Sequence, residues 1–303
     1  MSELSSHVTI REVALRDGLQ IETPIPLSAK IELLHAIVAT GVREVEATAF
    51  VSPTKVPALA DAPELAAALA DFDDGVQFSA LVASPNGARR AIAAGLGTVE
   101  YVVSAADAHS RANVGRSTAE ASAQIAEIVA IAHDSGVAVE VIIATAWDCP
   151  FDGPTAPQRV LDVVSAATEA GVDRVAVADT IGTATPRRVR SLLAQLRPVI
   201  GDLPLGAHFH NTRGAGLASA YAAVGAGVTR LDASVGGLGG CPFAPGASGN
   251  IATEDLVYLL RDSDIHTDVA LPAAIEAAAV AQRLVGHELP SALLRAGDRI
   301  LDD

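Results

Sequence analysis

Apolar positions along the chain follow two alternating rhythms. Short runs rich in β-branched residues recur at eight places: 8–15 (VTIREVAL), 43–50 (REVEATAF), 76–83 (VQFSALVA), 98–105 (TVEYVVSA), 138–146 (AVEVIIATA), 174–180 (RVAVADT), 204–211 (PLGAHFHN) and 230–237 (RLDASVGG). Between them lie Ala/Leu-rich segments of helical period, such as SAKIELLHAIVATG and STAEASAQIAEIVAIAHDSG. Most of these segments end in glycine, at Gly41, Gly95, Gly136, Gly171 and Gly227, the expected stop just past a last helical turn. Strand, helix, glycine and strand again, repeated about every 30 residues, is the unit of a parallel sheet. Eight such units predict a closed (β/α)8 TIM barrel, because open doubly wound sheets more often carry about five to seven strands. The barrel is expected over about 8–265. An extension of further helices, about 266–303, is expected to pack on it. No Pro/Ser linker marks a second domain, so residues 1–303 read as one catalytic unit.

Composition narrows this picture. Hydrophobic residues make up 50% of the chain but aromatics only 3%, so the core must be built from Ala, Val, Leu and Ile, as suits helices packed on a parallel sheet. A net charge of −15 argues against general nucleic-acid binding and against attraction to an anionic membrane. An anionic ligand would need a local cluster of Arg and backbone N–H groups. The two cysteines, Cys149 and Cys241, show no repeated spacing, which fits a reduced, cytoplasmic setting. The opening MSELSSHVTI reads as neither a signal nor a transit peptide, and no apolar run reaches the roughly 18 residues of a membrane span. No G-x-G-x-x-G or P-loop follows the first strand.

A barrel places its chemistry at the C-terminal ends of strands and in the loops beyond. The informative polar residues fall there: Arg16, Asp17 and Gln20 after the first strand, Glu46 on the second, Asp179 ending the sixth, and His208 and His210 ending the seventh. Residues i and i+2 of a strand share a face, so the two imidazoles converge on one volume. Asp17 adds a carboxylate and Asn250 an amide oxygen. Such a mixed N/O set suits Mg²⁺ or Mn²⁺ with positions open to a chelating substrate, while two histidines also serve Zn²⁺. Arg16 has the planar, permanent charge that holds an enolate or carbonyl oxygen, the plainer alternative being a salt bridge that closes the barrel end. Glu46 is placed to pair with Arg16 and orient it. Cys241 lies in GGLGGCPFAPGASG, a loop with six glycines, where a thiol of pKa about 8.5 can act as acid or base. Cys149 reads as structural or site-lining. His35, His133, His7 and His287 read as core or surface residues.

LRDGLQ (15–20), Glu46 in VEATAF, HFHNT (208–212) and GGLGGCPFAPGASGN (236–250), with ATEDLVYLL directly after, together resemble the metal-dependent lyase and synthase barrels that act on acyl-CoA and 2-keto acids. The Cys-containing loop is the most specific part and is most similar to the hydroxymethylglutaryl-CoA lyase family; LRDG alone identifies only the superfamily. The resemblance spans residue 8 to about 266. It implies a divalent metal, Mg²⁺ or Mn²⁺ in octahedral coordination, and retro-Claisen cleavage of a 3-hydroxy-3-methylglutaryl-CoA-like thioester to acetyl-CoA and acetoacetate, the reaction of leucine degradation and ketone-body metabolism. It also implies an acyl-CoA as partner, a homo-oligomer (dimer or tetramer), a substrate-facing place for Gln20, and Asp179 either beside the substrate or capping the next helix through DTIGTATP. His109, in SAADAHSRANVGRS with Arg111, Asn113 and Arg116, reads as part of a loop that is either solvated or in contact with the anionic end of CoA.

Within this resemblance the rivals are a lyase for citramalyl-CoA or a longer branched thioester, and a Claisen-type synthase, against which the Cys loop argues. A barrel without activity is argued against by the joint presence of Asp17, His208, His210, Asn250 and Cys241. The chain departs from the pattern at Ile21-Glu22-Thr23, where many lyases carry Asn-Glu-Lys, at Asn211 and Arg213, where relatives often have Asp and Tyr, and at Asp148, where Gly is common. These positions bear on recognition of the acyl group and of CoA, not on the expected metal ligands.

Overall fold

The computed structural model describes residues 6–72, 75–240 and 249–299. Eight parallel strands close into a barrel: β1 (Thr9–Glu12), β2 (Glu44–Phe50), β3 (Gln77–Val82), β4 (Thr98–Ser104), β5 (Ala138–Ala144), β6 (Arg174–Asp179), β7 (Leu205–Phe209) and β8 (Arg230–Ala233). Each pairs with the next, and β8 returns to β1. This is the (β/α)8 architecture that the alternation of strand and helix predicts. The strands' two faces divide the labour. Outward residues such as Val139, Val141, Ile143, Val175 and Val177 join the main apolar core under the helices. The inward face holds a small apolar cluster, Ile142, Ala176 and Ala178 with Val102, between charged layers. Beyond the barrel, the helix Leu271–Val285 packs on the helix Leu27–Ala39 and on the turn Val235–Gly237. Among the described residues no helix is long and apolar enough to cross a membrane.

Four local departures from the expected elements matter for the site. The first strand ends at Glu12 rather than continuing to 15, and Ala14–Gly18 forms a π-helical turn closed by Gly18 N–H on Val13 O at 3.1 Å. The eighth ends at Ala233, and Val235–Gly237 coils tightly. The expected loop after β4 is a helix, Asp107–Val114, in which His109 is buried, with its imidazole lowered to about 4 by that burial. Arg111 there pairs with Asp107 at 2.9 Å. Finally, the helical stretch after it breaks into Thr118–Ser122 and Ile125–His133.

Behind β7, Trp147 stacks near Phe209 at 5.6 Å between ring centroids. Cys149 is buried in a short hairpin, Asp148–Cys149 against Gly153–Pro154.

One buried carboxylate ties the two ends of the barrel together. Glu12 Oε1 accepts from the N–H of Ala14 (2.9 Å) and of Val235 (3.1 Å), and Oε2 from the Thr253 hydroxyl (2.6 Å). Burial pushes this carboxyl up to about 8, against the pull of the three donors. An exposed glutamate loses its proton near pH 4.3, so between about pH 4.3 and 8 the folded chain binds more protons than the unfolded one. Stability therefore falls as pH rises through that window. Thermal melts from about pH 5 to 8 are expected to show the decline, and Glu12→Gln to flatten it; an equal slope in the variant assigns the decline elsewhere.

Candidate active site

The π-helical turn after β1 lifts Arg16 and Asp17 over the barrel mouth, a setting in which such turns recur at functional sites. Gly18 permits it by close approach, since a Cβ there would lie 3.2 Å from the Leu238 side chain and 3.3 Å from Ser234 Oγ. At the end of β7, alternation turns His208 and His210 inward, their ring centroids 5.0 Å apart. From Gly249 the chain runs beside β7: Asn211 N–H donates to Gly249 O (3.0 Å) and Ile251 N–H to Phe209 O (3.2 Å), which sets Asn250 opposite His210. Gly239, at φ +127°, passes so close that a Cβ would meet Asn250 Nδ2 at 2.6 Å.

These elements bring Asp17, His208 and His210 together, with one ligand atom from each lying within 4.8 Å of the others. The Nε2 atoms of His208 and His210 face Asp17 Oδ2 at 3.9 and 3.8 Å. Asp17 Oδ1 accepts from Arg16 Nη1 (2.7 Å) and Gln20 Nε2 (2.8 Å), and Oδ2 accepts from Asn250 Nδ2 (2.9 Å). Burial by itself would raise the Asp17 carboxyl, but Arg16 and the two imidazoles hold it well below the usual carboxylate range. Asp17 is thus an anion at any working pH.

Asn250 meets the cluster through its amide nitrogen, which also donates to Leu238 O at 3.0 Å. Its Oδ1 is buried and without a hydrogen-bond partner among the described residues, as is Nδ1 of His210. An orphaned buried acceptor beside a carboxylate and two imidazoles is what a divalent cation relieves. The donors present, two nitrogens and up to two oxygens, fit a metal of that kind.

Arg16 lies between two carboxylates, with Nε on Glu46 Oε1 at 2.6 Å and Nη1 on Asp17. Burial opposes its charge, but Glu46 and Asp17 more than restore it. Glu46 is fully buried on the inner face of β2, where burial drives its carboxyl upward against the attraction of Arg16. The Arg16 side chain keeps 10% of its surface exposed at the strand ends, which leaves it within reach of a ligand oxygen. Asp179 accepts from the N–H of Thr183 and of Ala184, each at 2.9 Å. Burial raises its carboxyl and those two donors oppose the rise. Cys241 lies outside the described residues.

Three of the departing side chains, Asp148, Arg213 and Asn211, have local partners. Asp148 accepts from Arg188 Nη1 (2.6 Å) and the Thr183 hydroxyl (2.5 Å), joining the loops after β5 and β6. Arg213 donates to Ile181 O (2.6 Å), and Asn211 Oδ1 accepts from Gly216 N–H (3.1 Å). One neighbour of the cluster escaped the sequence reading. Asp232, inward on β8, lies 3.2 Å from His208 Nδ1 through Oδ2. Its signal was present, since Arg230, Asp232 and Ser234 form an i, i+2 polar row opposite Leu231, Ala233 and Val235.

The HMGL-like family matches residues 7–281 of the chain. The chain belongs to the HMGL-like family. As a member it is 38% identical to the (R)-citramalyl-CoA lyase of Chloroflexus aurantiacus over 300 residues, covering 96% of this chain and 95% of the relative. It is 37% identical to the hydroxymethylglutaryl-CoA lyase YngG of Bacillus subtilis, covering 94% and 95%. The solved structure of an HMG-CoA lyase from Acinetobacter baumannii, in complex with coenzyme A and 3-methylmalate, superposes with a TM-score of 0.93 at 37% identity, covering 99% of this chain and 98% of that one. HMGL-like membership thus extends over the barrel and into the C-terminal helices.

Proposed function

We propose that the protein is a divalent-metal-dependent carbon–carbon lyase that cleaves 3-hydroxy-3-methylglutaryl-CoA to acetyl-CoA and acetoacetate. The observation that carries this reading is the meeting of Asp17, His208 and His210 with the Arg16–Glu46 pair at the strand ends of an HMGL-like chain. In this reaction the C3 hydroxyl loses its proton and the C2–C3 bond breaks. C3 becomes the ketone of acetoacetate, the bonding pair passes to C2 as a thioester enolate, and C2 is then protonated.

Asp17, His208 and His210 would hold the ion, with Asn250 joining through Oδ1; Mg²⁺ or Mn²⁺ is the match for these donors. Bound there, such a cation supplies Lewis acidity that eases alkoxide formation at a tertiary hydroxyl. Gln20 and Asn250 brace Asp17 from either side. Glu46 aims Arg16, whose guanidinium meets the oxygen of the developing enolate, where a fixed positive charge counts most. Asp179 forms the wall beside the histidines by pinning the turn after β6. Cys241, on the sequence reading, carries the proton: its thiolate takes the hydroxyl proton and the thiol returns it to C2, so the proton count balances.

A second reading, cleavage of citramalyl-CoA to acetyl-CoA and pyruvate, is favoured by the 38% identity to the Chloroflexus enzyme. The two substrates differ by one methylene, a difference worth about 1–3 kcal/mol in a fitted pocket. Incubating the protein and Mg²⁺ with each thioester and identifying products by mass spectrometry decides between them. Acetoacetate with the higher kcat/KM supports the first reading, and pyruvate the second. Cleavage of neither overturns both.

A further inference from the structure

Strand register sets three polar side chains side by side beneath the metal-ligand cluster. Arg11 on β1 is the register partner of Asp232 on β8, and Asp232 is the partner of His208 on β7. All three point into the barrel, and all are buried. Arg11 grips Asp232 with two parallel bonds, Nε to Oδ1 at 2.9 Å and Nη2 to Oδ2 at 2.7 Å. Its remaining nitrogen, Nη1, is fixed by Glu140 Oε2 at 2.7 Å and Glu100 Oε1 at 2.6 Å. The carboxylate therefore has no freedom to turn.

His208 reaches this clamped group through Nδ1, 3.2 Å from Asp232 Oδ2, while Nε2 faces Asp17. A carboxylate already accepting two bonds from a guanidinium can only accept from the imidazole, not donate to it. The imidazole hydrogen is then held on Nδ1 and the lone pair on Nε2. His210 has no such support, because its Nδ1 lacks a hydrogen-bond partner among the described residues. We propose that Asp232, clamped by Arg11, is a positioning residue that presets His208 as the Nδ1–H tautomer and so presents Nε2 to the metal, leaving His210 to adapt when the ion arrives. This rests on reading the cluster as a divalent-cation centre.

Asp232→Asn nearly conserves shape and discriminates sharply. Arg11 donates to both oxygens, so the amide NH₂ opposes a guanidinium N–H whichever way it turns, and the clamp is lost. Facing the imidazole, the NH₂ turns Nδ1 into an acceptor and moves the ring hydrogen to Nε2, where it blocks the donor atom. Two measurements on the full-length, metal-free protein test the proposal. ¹⁵N NMR of the imidazoles, with His208 assigned by its loss in His208→Gln, reads the tautomer. Titration with Mn²⁺ alone, followed by electron paramagnetic resonance, reads affinity.

The expected result is Nδ1–H at His208 in the parent. In Asp232→Asn that preference is lost, His210 signals hold, and Mn²⁺ affinity falls about 10–100-fold, the usual cost of removing a partner behind a ligating histidine. Parent protein with Nε2–H at His208 overturns the proposal, and this readout stands even if the variant does not fold. A folded Asp232→Asn that binds Mn²⁺ as tightly as the parent overturns the proposal alone. A parent that binds no Mn²⁺ overturns the cation-centre reading, and the proposal with it.

Discussion

Exhaustively chelated protein is expected to release no product from either thioester, and added Mg²⁺ or Mn²⁺ to restore the full rate. The reason lies in how Asp17 is engaged. Its two oxygens are shared among Arg16, Gln20 and Asn250, and the facing imidazole nitrogens lie 3.8 and 3.9 Å away. These groups build a donor set, but none is an acid placed to stabilise an alkoxide on a tertiary carbon. His210→Ala, which deletes one donor and leaves the Arg16–Asp17 pair intact, is expected to bind less metal and to stay inactive at cation concentrations that saturate the parent. Turnover measured alongside metal content by atomic absorption checks both. Undiminished activity after chelation would remove the metal from the mechanism.

The second large effect is expected from the thiols, which the chain places in opposite settings. Cys149 is buried in the Asp148–Cys149 hairpin, where its sulfur accepts the Phe151 N–H at 3.4 Å. It is committed to structure. Cys241 belongs to the glycine-rich stretch that joins Gly239 to Asn250, two positions the structure puts directly against Asp17. If Cys241 carries the proton, Cys241→Ala lowers kcat by about 10²–10⁴, the span for a general acid or base. Metal affinity stays at the parent level because no donor changes. Cys149→Ala is expected to cost little in rate. Single-turnover cleavage by the two variants gives the comparison, and equal rates for Cys241→Ala and the parent would remove Cys241 from the proton transfer.

Much of this site was legible because strand geometry makes i, i+2 pairs converge: His208 and His210 needed only β7 to be a strand. Asp17 and Asn250 were legible through their motifs. The π-helical turn was not, because VALRDG continues the apolar run of β1, and nothing local reveals that Glu12 will be held by Val235 and Thr253. The helix Asp107–Val114 was hidden for a different reason. DAHSRANV has no apolar stripe, and it buries His109 and Ser110 instead. Asp232 needed its neighbours: a lone carboxylate in RLDASVGG acquires meaning only when register sets it between Arg11 and His208. Local periodicity thus gave the barrel, while the partners of its buried charges come from strands that meet only on closure.

That closure has a consequence for how the protein is made. Asp17 and Asn250 are 233 positions apart, Glu12 and Thr253 241, and Arg11 and Asp232 221. On the ribosome, the first strand emerges long before the residues that satisfy its Arg11, Glu12 and Asp17. Contacts of such sequence separation form late and slowly. A nascent chain halted short of Arg230 lacks the eighth strand, and so carries an open parallel edge, an Arg11 without its Asp232 partner and an incomplete ligand set. A cation held by this cluster would therefore find its full donor set only after Asn250 has been made and the last strand has docked against the first.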